Sequence, residues 1–303
     1  MKVLQAVFGG WGDRVRRFGS WTGFGEKKLI DYIQLIVLPF VLIVGGQLVS
    51  QAVNASARAQ ALEDAQERRL QEYLDQVATL ALDRELLLTN VDQARGAVIR
   101  EVARARTLTA LAAMDGPRKR FVITFLYELS LINGHDELIS LANADLEEAD
   151  LSGAELFGAN LNHASLPFAN LERARLTSAL MNGARLSNAN MTHSLLVDAR
   201  LNQADLRLAV LRESDASNAS LFSADLRGAD VSDVNFTGAN LRSTDLRGAL
   251  MRGAILQGAD LTGALIGDQS NEESFTDLQG VDWHGAICPD GTASPDEGCA
   301  GHL

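Results

Sequence analysis

Proline (5 residues), aromatic side chains (6%) and cysteine (2 residues) are all scarce in this 303-residue chain. So little aromatic bulk argues against an aromatic-rich globular core and for an interior assembled from small repeated units. The two cysteines, Cys288 and Cys299, lie far toward the C-terminus with no second pair beside them, so they make no zinc site. Eleven residues apart, they can close as a disulfide worth about 3 kcal/mol by loop entropy in an oxidising compartment; in a reducing one they stay free. Basic charge is also short. Lys+Arg number 27 against 39 Asp+Glu, a formal net charge of −12, which leaves no basic nucleic-acid footprint and disfavours direct phosphate binding.

Catalytic signatures are missing as well. The sequence holds no phosphate-binding loop, dinucleotide fingerprint or nucleophile elbow. His135, His163, His193, His284 and His302 show no ligand spacing. Asp290, Asp296 and Glu297 near Gly291 lack the order of a calcium-binding loop and read as a solvated tail. No cofactor, metal or enzymatic activity is expected.

What the chain does have is a rhythm. From Leu141 to Ile266 a large apolar residue recurs every five positions, broken only at Ala216. Two residues earlier in each unit stands alanine, from Ala144 to Ala264, with Ser194, Ser214, Val234 and Thr244 as the exceptions. Period five suits no straight element. In an α-helix every fifth residue is rotated by about 140°, so the column would spiral; in a strand an odd spacing alternates faces. A chain that makes a short straight segment and then turns a corner can bury both columns, with coils stacked at about 4.8 Å.

Units such as Ala224-Asp225-Leu226-Arg227-Gly228 and Ala259-Asp260-Leu261-Thr262-Gly263 resemble the pentapeptide-repeat family, over 126 of the 303 residues. The resemblance implies a right-handed quadrilateral β-helix with four pentapeptides per coil. The fold class expected is therefore mainly β with an α N-terminal part.

The expected organisation is a basic arm at 1–28, a transmembrane helix at 29–50, a helical stalk and cap at 51–134, the repeat solenoid at 135–286 and a turn-rich tail at 287–303. The 21-residue, mostly apolar stretch from Leu29 to Val49 is long enough to cross a bilayer, with Asp31, Gln34 and Gln47 near its ends and Pro39 as a kink. The rivals are a cleaved signal peptide, with small residues at Ala52, Ala55 and Ala57, and a buried globular helix; the 28-residue lead and the length of the run favour an uncleaved anchor. Six Lys/Arg precede the stretch and only Arg58, Arg68 and Arg69 closely follow it, which predicts a single-pass membrane protein with a cytoplasmic N-terminus and an extracytoplasmic solenoid.

Residues 51–90 read as one helix, with Leu70, Leu74 and Val77 on one side. A second spans Val91–Met114, with Ala94, Val98, Val102, Ala105 and Leu108 on its apolar face. A third begins at Pro117, and Phe121–Leu131 is expected to cap the first coil before the turn at Asn133-Gly134. Glu72–Gln76, Ala103–Thr109 and Phe125–Glu128 resemble a helical module that precedes pentapeptide repeats in membrane-anchored bacterial proteins. Beyond Ile266, Phe275, Leu278, Val281 and Trp283 lose the five-residue spacing, so an irregular last coil is expected.

Outward positions carry the functional information. If one coil takes twenty residues, Asp205, Asp225 and Asp245 stack, as do Arg207, Arg227 and Arg247. This is a candidate docking strip for a protein partner; its bland alternative is a solubilising ladder. Two function classes follow. One is a non-enzymatic scaffold, anchored through 29–50, that presents a rigid surface to an unknown protein and is open to oligomerisation. The other, implied by the resemblance, is a DNA mimic that binds topoisomerases. Sixteen Asp/Glu and ten Arg between Leu141 and Ser270 leave 10 − 16 = −6, too interspersed for a phosphate-like rod.

Overall fold

The structure, a computed structural model, describes residues 38–82, 93–132, 138–267, 276–294 and 299. The basic arm 1–28, residues 29–37 of the apolar stretch, the Asn133-Gly134 turn, His135, Phe275, Asp296, Glu297 and His302 lie outside the described residues. The chain divides into two compact units, Met1–Ala65 and Gln66–Leu303.

A single helix, α1 (Leu38–Leu82), runs from the first unit into the second. It overturns the expected membrane span and the single-pass localisation built on it. No helix of the described residues is long and apolar enough to cross a membrane. The apolar opening of α1, Leu38–Val49, holds twelve residues, about 18 Å at the helical rise against about 30 Å of hydrocarbon. From Ser50 the same helix turns polar.

In the Gln66–Leu303 unit, α1 buries Leu70, Tyr73 and Val77. Helix α2 (Gln93–Ala112) buries Ala103, Thr107 and Leu111, whereas Val98 and Val102 of the expected face are 64% and 42% exposed. A hydroxyl pair accounts for the rotation. Buried Tyr73 needs a partner for its O–H and shares a 2.9 Å hydrogen bond with Thr107 Oγ1, which also lies 2.9 Å from Ala103 O. Burial pushes the Tyr73 hydroxyl up to about 12, against the smaller opposing effect of Thr107.

Helix α3 (Gly116–Glu128) is capped by Asp115, whose carboxylate accepts from Arg118 N at 3.2 Å, and Pro117 occupies its first turn. Val122, Ile123 and Leu126 face inward; Phe121, expected in the capping face, is 53% exposed.

The solenoid is built from one-residue bridges. Asp145 pairs with Ser165, Asp150 with Asn170, Glu155 with Arg175 and Asn160 with Leu180, all parallel, and each column continues every twenty residues. Each coil therefore has four sides. The described residues contain no extended strand, since the straight segment on each side shrinks to its single bridged residue. Between sides the alanine N–H donates to the preceding leucine C=O, as in Ala149 to Leu146 at 3.1 Å, closing a turn whose third residue has positive φ. At Gly253 φ is +66°, and a Cβ there would come within 2.2 Å of Asp233 Oδ1, so a larger residue would have to displace that carboxylate. The bridged Asp or Asn locks the next turn through its Oδ1, which in Asp150 accepts from Ser152 N at 3.2 Å. Leucine and alanine point inward and are almost wholly buried.

The last coil is more regular than expected. Leu250 pairs with Asp277, Ile255 with Asp282 and Asp260 with Ile287, a spacing of 27 rather than 20. Seven inserted residues shift the phase, after which Leu278, Trp283 and Cys288 take the leucine positions. Thr276 ties the splice, donating to Leu246 O at 2.9 Å and accepting from Gly267 N at 3.0 Å.

At the N-terminal edge, carbonyls that would accept from a preceding coil find side chains instead. Lys119 Nζ donates to Glu147 O at 2.9 Å and lies 3.4 Å from Asp145; Arg104 Nη2 donates to Ala142 O at 3.0 Å. Arg120 reaches Asp150 Oδ2 at 3.1 Å and Ser152 Oγ at 2.9 Å. Helices α2 and α3 thus supply donors to the first coil.

Candidate docking surface

The solenoid brings the six strip residues onto one corner and the side next to it. Asp205, Asp225 and Asp245 bridge in succession along one side, and the arginines project from the adjoining corner. Each arginine first serves its own aspartate. Arg207 Nε and Nη2 both lie 2.7 Å from the Asp205 carboxylate, Arg227 pairs with Asp225 at 2.9 and 2.6 Å, and Arg247 with Asp245 at 2.9 and 2.6 Å. Each forked pair leaves Nη1 out of the contact. Weaker contacts lace the coils together: Arg207 Nε lies 3.7 Å from Asp225 and Arg227 Nε 3.6 Å from Asp245.

The aspartates also hold the fold, since Asp205, Asp225 and Asp245 each accept from a backbone N–H two residues on at 3.2 Å. The Arg207 hydrogen bond, only partly offset by burial, holds the Asp205 carboxyl below the usual range, and Arg247 does the same for Asp245. The aspartate side chains are 25%, 28% and 18% exposed and the arginines 50%, 47% and 46%, so guanidinium groups form the outer layer.

Two apolar residues on the same corner escaped the sequence reading. Phe168 and Leu208 are 58% and 60% exposed and hold φ of 58° and 57°. A leucine in that conformation costs about 1–2 kcal/mol that Gly228, one coil on, avoids. Leu208 lies over Gly228, and a cavity of about 360 Å³ lined by Ser187, Asn188, Arg207, Leu208 and Arg227 opens beside it. The signal available in sequence was an apolar residue at a corner position that elsewhere carries glycine or a polar group.

The remaining candidates stand apart. Cys288 and Cys299 are disulfide-bonded, with Cα atoms 5.5 Å apart and both residues buried. Asp290 Oδ1 accepts from Thr292 N and Oγ1 at 2.9 and 2.7 Å, a turn-locking role. His193 Nδ1 lies 3.6 Å from Glu213, and the His163 ring lies against Gly183. Among the described residues no group of three or more His, Cys, Asp or Glu is placed to hold a metal ion.

Four-sided coils of four five-residue turns define a repeat solenoid, a class that offers an elongated side-chain surface on a regular frame. The family model described as pentapeptide repeats matches eight copies within residues 139–266, and the chain belongs to the pentapeptide-repeat family. Among solved structures, a pentapeptide repeat protein from the cyanobacterium Cyanothece 51142 is 33% identical, with 31% of this chain and 58% of that one covered and a TM-score of 0.28. HetL from Nostoc sp. strain PCC 7120, a pentapeptide repeat protein involved in heterocyst differentiation regulation, is 30% identical over 52% of this chain and 79% of that one, with a TM-score of 0.18. QnrB1, a plasmid-mediated fluoroquinolone resistance protein, is 25% identical over 48% of this chain and 76% of that one, with a TM-score of 0.35. A search of curated proteins finds no match.

Proposed function

We propose that this protein is a non-enzymatic interaction module whose solenoid presents a rigid surface to a protein partner, and that Asp205, Arg207, Asp225, Arg227, Asp245 and Arg247 with Leu208 form the docking strip. The right-handed quadrilateral geometry implied by the family belongs to this reading as the frame that keeps the strip in register. One observation carries it: forked Asp–Arg pairs repeated on three successive coils, with Nη1 spare on each arginine, beside a leucine that is both exposed and held at positive φ. A ladder needed only for solubility has no use for that leucine.

The DNA-mimic reading is the weaker one. A phosphate-like surface requires carboxylates outermost, and here the arginines cover them.

The test is a crosslinking pull-down from native cells with the full chain and with Arg207, Arg227 and Arg247 all changed to Gln. Loss of the captured partner supports the strip, and unchanged capture overturns it. Thermal stability should move little, because exposed pairs contribute under about 1 kcal/mol each.

A further inference from the structure

The aspartates of the docking strip leave part of each arginine unused. In all three pairs Nε and Nη2 face the carboxylate, and because a guanidinium is planar, the two N–H groups of Nη1 point away from it. Each fork is held in place before a partner arrives, which lowers the ordering cost of binding. A fourth arginine extends the row. Arg185 lies one coil before Asp205 on the same side, is exposed, and among the described residues has no carboxylate within ion-pair distance. Four arginines thus stand against three aspartates, a positive excess on a chain whose net charge is −12.

We propose, resting on the reading that this strip docks a protein, that the partner presents the acidic face of an α-helix lying along the solenoid axis. The sign of the charge calls for carboxylates, and the spacing selects a helix. Coils stack about 4.8 Å apart, so the row from Arg207 to Arg247 spans two steps, about 9.6 Å. Helix positions i, i+4 and i+7 share one face, and i to i+7 covers about 10.5 Å, within about 1 Å of the row. In an extended strand alternate residues share a face, and three of them cover about 13 Å, which carries the third carboxylate past the last arginine.

An apolar residue one turn from the carboxylates completes the match. Leu208 is 60% exposed beside the first arginine of the row, and with Ser187 and Asn188 of the preceding coil it lines the cavity of about 360 Å³ that would receive this side chain. Apolar and charged anchors at helical spacing are the usual content of helix recognition.

Titrating the full-length protein with labelled synthetic peptides, read by fluorescence anisotropy, tests this. The probe is a capped alanine-rich helix with Glu at i, i+4 and i+7 and Leu at i−4. It should bind at least tenfold more tightly than the same peptide with Gln for Glu, or with its Glu residues spread round the helix, and should weaken as salt rises. An equally acidic peptide carrying prolines, which cannot form the helix, should bind no better than the spread one. The advantage should vanish on the chain with Arg207, Arg227 and Arg247 changed to Gln, whose circular dichroism should match that of the unaltered chain. No binding of the probe, equal binding of the Gln, spread or proline peptide, or an advantage kept by the triple variant overturns the proposal. If the probe fails while the triple variant still loses its partner in the pull-down, the docking strip stands and the acidic helix is rejected. Unchanged capture rejects both.

Discussion

Ser194 and Ser214 occupy the inner column that alanine fills in most other turns, one coil apart, and their hydroxyls are buried without a hydrogen-bond partner. Thr244, another exception in that column, bonds its hydroxyl to Leu241 O at 2.7 Å. An unpaired buried hydroxyl costs about 1–3 kcal/mol. Ser194→Ala and Ser214→Ala are therefore expected to raise the melting temperature, and a fall would mean that the hydroxyls have partners. Ala216 poses the reverse problem of volume. Between Leu141 and Ile266 it is the only small residue in the leucine column, and Phe236, the only phenylalanine there, lies one coil on; Ala216 N donates to Asn235 O at 2.8 Å. Ala216→Leu alone should overpack by about 1–3 kcal/mol, and Phe236→Leu alone should open a void. Both together should cost less than the sum, measured as a coupling in a double-mutant cycle. Additive losses would show that the two sites do not share their space.

Helices α1, α2 and α3 are tied by polar groups, and their predictions are about protons and orphan carbonyls. Tyr73 has its folded pKa raised to about 12 from an ordinary value of 10.0. The folded state thus holds the proton more tightly, so this stabilisation is complete below pH 10 and is lost as pH rises toward 12. Two units amount to about 3 kcal/mol; Tyr73→Phe should flatten the loss of stability over that window in denaturant titrations. Lys119→Met removes the donor to Glu147 O, leaving an edge carbonyl with one partner fewer, which costs about 1–3 kcal/mol. Faster amide exchange across Leu141–Leu151 is the expected sign, and unchanged exchange would mean that water replaces the amine. The rotation of α2 was not legible in its apolar spacing, because a hydroxyl contact between Tyr73 and Thr107, 34 residues apart, decides it. The solenoid interior was legible because Ala and Leu repeat with the coil itself. The last coil was misread because the inserted residues hide a phase that resumes at Thr276. For the strip, charge was visible in the spacing, but the turn-locking work of Asp205, Asp225 and Asp245 and the exposure of Leu208 depend on backbone geometry.

A solenoid passes stability only between neighbouring coils, so damage at one end should stay there. The C-terminal end has its own fastening. Cys288 fills the leucine position of the last coil, its N–H donates to Thr292 O at 2.8 Å, and Ile287 bridges antiparallel to Ala293. The disulfide to Cys299 closes this segment across eleven residues, worth about 3 kcal/mol by loop entropy. Replacing both cysteines with alanine should therefore release a local unit. Amide exchange should quicken from Asp277 to Ser294, while Leu146–Leu246 keeps its protection and the strip keeps its partner in the pull-down. Loss of protection throughout would mean that the coils melt as one body and that the end fastening supports the whole stack. If exchange is unchanged everywhere, Trp283, Cys288 and the antiparallel bridge hold the end without the covalent link. In the expected outcome the solenoid frays only beyond the strip, whose last residue, Arg247, keeps its register because the coils before it do not depend on the end fastening.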